Sequence, residues 1–217
     1  MKDKKQFIAI VIILFVLWTL RWTTFLKFIP TSNYILEAII KIIIWIALPA
    51  LYLLICNKIN PWKYLKLVPA TKKVILWSIF ISLIWFGIQL ILNIKSYGYH
   101  FYWNKNIGDW VNIFLIVGIT EEIMFRGFIL GKLREWMNFG KANIIQAVLF
   151  ALIHIPYWIV FSKENFATGS IIEYLLSIGS VFVIGLIMGY LTKKTNSLWP
   201  AILSHSFGDL AFVLTII

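Results

Sequence analysis

Apolar residues recur along this chain in long blocks, and short polar or charged segments separate them. A helix needs about 20 apolar residues to cross a hydrocarbon core, so each block predicts a membrane-spanning helix. Seven spans are expected, at 7–28, 34–56, 74–94, 108–130, 142–161, 171–191 and 198–217. Between the second and third, Pro61 and Pro69 bracket a short amphipathic stretch. It is expected to lie at the interface, with Trp62 and Tyr64 as anchors. Tyr97, Tyr99, His100, Phe101, Tyr102 and Trp103 read as an aromatic belt at the opposite face. Gly127/Gly131 and Gly185/Gly189 are GxxxG pairs, which let helices approach closely. No repeat or linker divides the chain. The expected fold is an all-α polytopic bundle, one membrane domain over 1–217.

Composition strengthens this reading. The chain is 61% hydrophobic and 13% charged, whereas a soluble domain carries about 25% charged residues. The net charge of +11 does not point to nucleic acid, because the basic residues form no stripe. They cluster between apolar blocks, as in cytoplasmic loops of membrane proteins. With the N-terminus inside, inner segments hold 13 Lys and Arg and outer segments 5. That bias predicts a cytoplasmic N-terminus and an outside C-terminus. The start of the chain (Lys2, Lys4, Lys5, then Phe7–Leu20) resembles a signal peptide. Arg21, Trp22 and Thr23 follow instead of a small-residue cleavage site, so a retained first span is expected. Cys56 is the single cysteine, which rules out an internal disulfide and a cysteine-based zinc site.

Charges in the hydrocarbon core cost about 2.5–3.5 kcal/mol each even on insertion scales, so those within spans are functional candidates. Apart from Asp109 and Glu173, which stand within the first three residues of their spans, four of the nine acidic residues fall there: Glu37, Glu121, Glu122 and Asp209. Glu37, near a helix end, is expected to reach headgroups or pair with Lys41. His154 and His205 also fall within spans. At 1.5 Å per residue, Glu121, His154 and His205 lie on the order of 15–20 Å from the inner boundary, with Asp209 a little beyond. Residues from three separate helices sharing one depth is what a single buried site requires.

Direction sorts them further. Glu122 and Arg126 are four apart and can pair, which leaves Glu121, turned about 100° away, free. His205 and Asp209 share a face. Phe150, one turn before His154, can wall the pocket. A carboxylate desolvated at mid-membrane suits a general base, and His154 can share its water or bind a metal. Glu, two His and Asp are also the ligand types of a catalytic zinc site, in which Glu121, His154 and His205 could bind metal. A metal-free hydrolysis is equally allowed.

These residues spell EExxxR (Glu121–Arg126), FxxxH (Phe150–His154) and HxxxD (His205–Asp209), in order and on separate predicted helices. The ordered set resembles the CPBP family of intramembrane proteases (CAAX-processing and bacteriocin-processing, also called Abi). It covers roughly 108–217, while 1–107 carry no motif. The resemblance implies an intramembrane endopeptidase in which Glu121 activates water with His154. It implies support from Glu122 and Arg126, and oxyanion stabilisation by His205 and the last motif residue, here Asp209. An ionised Asp accepts but cannot donate, so an oxyanion role requires Asp209 protonated. Otherwise it orients His205 or binds metal. Members are often described as metalloproteases, while a glutamate mechanism is also argued. HExxH, GxSG and GxGD signatures of other intramembrane proteases are absent. The rival function is a bacteriocin-immunity or regulatory protein binding a peptide or partner in the same cavity. A transporter would favour inverted repeats, and none is seen. The substrate class implied is a membrane-associated peptide or protein, in a plasma membrane, with a bacterial source suggested by the short loops. Oligomeric state is open.

Overall fold

The computed structural model describes residues 2–25, 33–67, 71–97, 107–161 and 171–216, and every regular element among them is helical. Helix α1 spans Lys2–Thr23. Helix α2 runs through Tyr34–Ile42, a wider π-helical turn at Ile43–Ala47, and Leu48–Ile55. A single turn, α3, occupies Pro61–Tyr64, and α4 spans Lys72–Tyr97. Helix α5 is continuous but alternates in winding. It is α-helical at Ile107–Val111, Gly118–Glu122 and Leu130–Leu133, and π-helical at Asn112–Val117 and Ile123–Ile129. The remaining helices are α6 (Phe139–Leu152), α7 (Ile155–Phe161), α8 (Ile171–Thr195) and α9 (Trp199–Ile216).

Five helical stretches among the described residues are long and apolar enough to cross a membrane: Asp3–Thr23, Tyr34–Ile55, Lys72–Leu92, Phe139–Val160 and Tyr174–Thr195. The chain is thus a multi-pass membrane protein. The other two expected spans, 108–130 and 198–217, are helical over their described residues but are not among these five; the first carries Glu121, Glu122 and Arg126. Seven crossings remain an expectation. The aromatic run 97–103 lies outside the residues whose side chains are described.

The motif helix α5 and α9 pack together, α9 lies along α4, and α6 lies along α8. Two glycines permit these approaches. A Cβ at Gly118 would stand 2.5 Å from Ser206 Oγ, and one at Gly185 would stand 2.9 Å from Ala147 Cβ. The Gly185/Gly189 pair therefore seats α8 on α6, as the GxxxG spacing predicts. Gly127 and Gly131 instead receive Leu65 and Tyr64. Tyr64 is consequently no free interfacial anchor. Its hydroxyl donates to Glu135 at 2.6 Å, and burial, with Glu135 beside it, raises the pKa of its phenol. Trp62 is exposed as expected.

The N-terminal helices also close on the core. Asp3 accepts bonds from Tyr52 (3.0 Å), Asn57 (2.9 Å) and Lys132 (3.1 Å). Glu37 does not reach out to headgroups. It is buried and paired with Arg21 of α1, with Lys41 at 3.7 Å as a second cation. A buried carboxylate needs such partners because desolvation is costly. Arg21, counted by sequence as an outer-segment charge, is itself buried in this pair.

Candidate active site

The first motif sits where α5 passes from α-helical to π-helical winding. Such widened turns recur at functional sites because they re-aim side chains. Glu121 and Glu122 are both buried and point apart, as adjacent helical residues must. Glu122 Oε1 accepts from Arg126 Nη1 at 2.9 Å, the expected i,i+4 pair, and also from His205 Nδ1 at 2.8 Å. The second contact makes Glu122 an orienter of His205, which the spacing of the motifs alone does not show.

Because a carboxylate oxygen accepts, His205 Nδ1 carries its hydrogen and Nε2 faces the other acids. Nε2 lies 3.8 Å from Glu121 Oε2 and 3.6 Å from Asp209 Oδ2. Among the described residues, neither of those two oxygens has a hydrogen-bond partner. His205 and Asp209 share a face of α9, as their spacing requires.

His154 arrives from a different construction. Pro156 has no N–H to donate, so α6 cannot run uninterrupted into α7. The His154 N–H bonds Ala151 O at 3.2 Å, one residue short of the helical partner. Phe150 O then accepts the His154 ring Nδ1 at 2.9 Å. A carbonyl only accepts, so Nδ1 carries a hydrogen, and in the neutral imidazole Nε2 is the nitrogen with the lone pair. Phe150 walls both imidazoles: its ring is edge-on to His154 (centroids 5.1 Å) and to His205 (5.8 Å). The Arg126 guanidinium lies over the same ring at 4.1 Å. Glu121, His205 and Arg126 are all close enough to act electrostatically on His154.

All seven residues singled out from the sequence, Glu121, Glu122, Arg126, Phe150, His154, His205 and Asp209, thus converge on one neighbourhood. Sequence reasoning missed the support behind Arg126. Its Nη2 reaches Gly185 O at 3.5 Å, which Gln146 Nε2 also engages at 2.9 Å, and Gln146 is steadied by Asn143 Oδ1 at 2.8 Å. The available signal was two amides in an otherwise apolar span. Beside the cluster, Leu210 joins Trp110, Val111, Phe114 and Leu115 in an open apolar groove of about 270 Å³.

Among the described residues, no three His, Cys, Asp or Glu side chains are arranged to hold a metal ion. Glu121 and His205 approach to 3.8 Å, and the Phe150 ring stands against both His205 and His154.

Fold and site together define a multi-pass helical membrane protein with a buried carboxylate–histidine centre. Comparison with known families agrees. The model for the Rce1-like family, type II CAAX prenyl endopeptidases, matches residues 103–211, about half of the chain. This chain belongs to that family. No curated protein and no solved structure matches it.

Proposed function

We propose that the chain is an intramembrane endopeptidase that hydrolyses a peptide bond in a membrane-associated peptide or protein, using water activated by Glu121 and His154. The observation that carries this reading is the Glu121 carboxylate. It is buried, and its Oε2 has no hydrogen-bond partner among the described residues. A buried carboxyl oxygen without a hydrogen-bond partner is uncommon in a packed protein, and a general base must keep an oxygen free for water.

Water held between Glu121 and the His154 Nε2 lone pair attacks the carbonyl carbon. Its proton passes to Glu121. Negative charge develops on the carbonyl oxygen, beside the His205–Asp209 pair, where a proton on His205 Nε2 or on Asp209 can donate to it. When the C–N bond breaks, Glu121 returns its proton to the leaving amine. Glu122 acts at one remove by fixing the His205 ring, and Arg126 fixes Glu122. The charge bias of the loops supports a cytoplasmic N-terminus, and the shortness of the loops supports a bacterial plasma membrane.

The test is cleavage of membrane-anchored reporter peptides by the protein in liposomes, read by mass spectrometry. Glu121→Gln and His154→Ala should each lower the rate by about 100-fold or more. Glu121→Gln should do so without lowering the melting temperature, since no hydrogen bond to that oxygen is lost. Cleavage that survives both changes would overturn the assignment in favour of a binding protein.

A further inference from the structure

Resting on that reading, we infer that Trp18 is a positioning residue for His154, so that a helix outside the family-matched segment completes the active site. The Trp18 indole Nε1 donates to the carbonyl of Ile153 at 3.0 Å, inside the protein. That carbonyl belongs to the peptide plane shared with His154. It falls in the break between α6 and α7 that Pro156 imposes. Two carbonyls at this break are engaged by side chains: Phe150 O by the His154 ring, and Ile153 O by Trp18. Fixing the second fixes the plane from which the His154 side chain departs.

Trp18 is held in turn. It is buried, with its ring edge-on to Trp22 (5.6 Å) and tilted against Trp45 (4.9 Å). Both neighbours lead back to the same break. Trp22 packs on Tyr157, one residue past the proline, at 5.0 Å. Trp45 packs on Phe125 at 6.0 Å, and Phe125 on Phe150 at 5.2 Å. The N-terminal helix thus grips the turn by a hydrogen bond and by stacked rings on either side of it. Buried tryptophans commonly find an acceptor for the indole N–H; what ties Trp18 to the site is that its acceptor is the carbonyl of the His154 peptide plane.

Trp18→Phe keeps an aromatic ring and removes that N–H. In the full chain it should lower kcat about tenfold at unchanged KM, the signature of a misplaced catalytic group. Acylation of His154 by diethylpyrocarbonate, followed by peptide mass spectrometry, supplies a second readout that needs no cleavage. Its rate should change about threefold or more while that of His205 stays constant. If Trp18→Phe fails to fold, benzothienylalanine at position 18, with sulfur in place of the N–H, preserves the bicyclic shape for the same two measurements. Unchanged His154 acylation in the folded variant overturns the inference. If the unaltered protein cleaves nothing, the protease reading falls, and the acylation rates alone decide the role of Trp18.

Discussion

Replacing Arg126 should expose how the site is held together. Its guanidinium lies 2.9 Å from Glu122 Oε1, and both side chains are fully buried. At that distance and an effective dielectric constant of about 20, Coulomb's law gives roughly 6 kcal/mol of attraction. Desolvation of the two ions offsets most of it, so the intact pair contributes little net stability. Removing one partner is different, because Glu122 is then left charged and buried with His205 alone. The expected cost of Arg126→Leu is about 3–5 kcal/mol, the usual penalty for a stranded buried charge. Part of it is the lost cation–π contact with Phe150. Glu122→Leu combined with Arg126→Leu removes both charges and should recover most of that loss. The double variant should nonetheless be inactive, since His205 Nδ1 has lost its acceptor. Unfolding in detergent measures the first effect and peptide cleavage the second. A cost below about 1 kcal/mol for Arg126→Leu would refute the stranded-charge account. A double variant that cleaves normally would refute the orienting role of Glu122.

Two further outcomes are expected. Gly118→Ala places a Cβ 2.5 Å from Ser206 Oγ and should destabilise by about 1–3 kcal/mol through overpacking; adding Ser206→Ala should return part of it, both read as melting temperatures. Cleavage should be unaffected by a strong zinc chelator, because the donor set does not converge on a metal position; chelator inhibition reversed by added zinc would contradict the geometry.

The sequence made some of this architecture legible and hid the rest for identifiable reasons. Apolar blocks mark where helices run, and i,i+4 spacing correctly pairs Glu122 with Arg126 and aligns His205 with Asp209. Those are properties of one helix. Contacts between helices depend on rotation and offset, which residue spacing does not encode. Glu37 looked like a headgroup-seeking residue because its partner Arg21 belongs to another helix. Tyr64 looked like a lipid anchor because nothing in its own stretch announces Gly131 and Glu135. Trp18 was invisible because a bond to a backbone carbonyl leaves no mark on the identity of the acceptor residue. The π-helical turns of α5 likewise follow from packing rather than from residue type.

The distribution of satisfied and unsatisfied charge argues for the division of labour proposed above. Arg21–Glu37 and Arg126–Glu122 are each matched by a cation within the same buried layer. Such pairs cost little and fix geometry. Glu121 and Asp209 have no Lys or Arg within salt-bridge distance among the described residues; they share only His205, whose Nε2 lies between their oxygens at 3.8 and 3.6 Å. A packing role would be served as well by Gln or Leu at position 121, without desolvating a carboxylate. Keeping the acid there is reasonable only if its free oxygen meets something that arrives later. In a site walled by Phe150 and flanked by the His154 imidazole, a water molecule beside a peptide carbonyl meets that requirement.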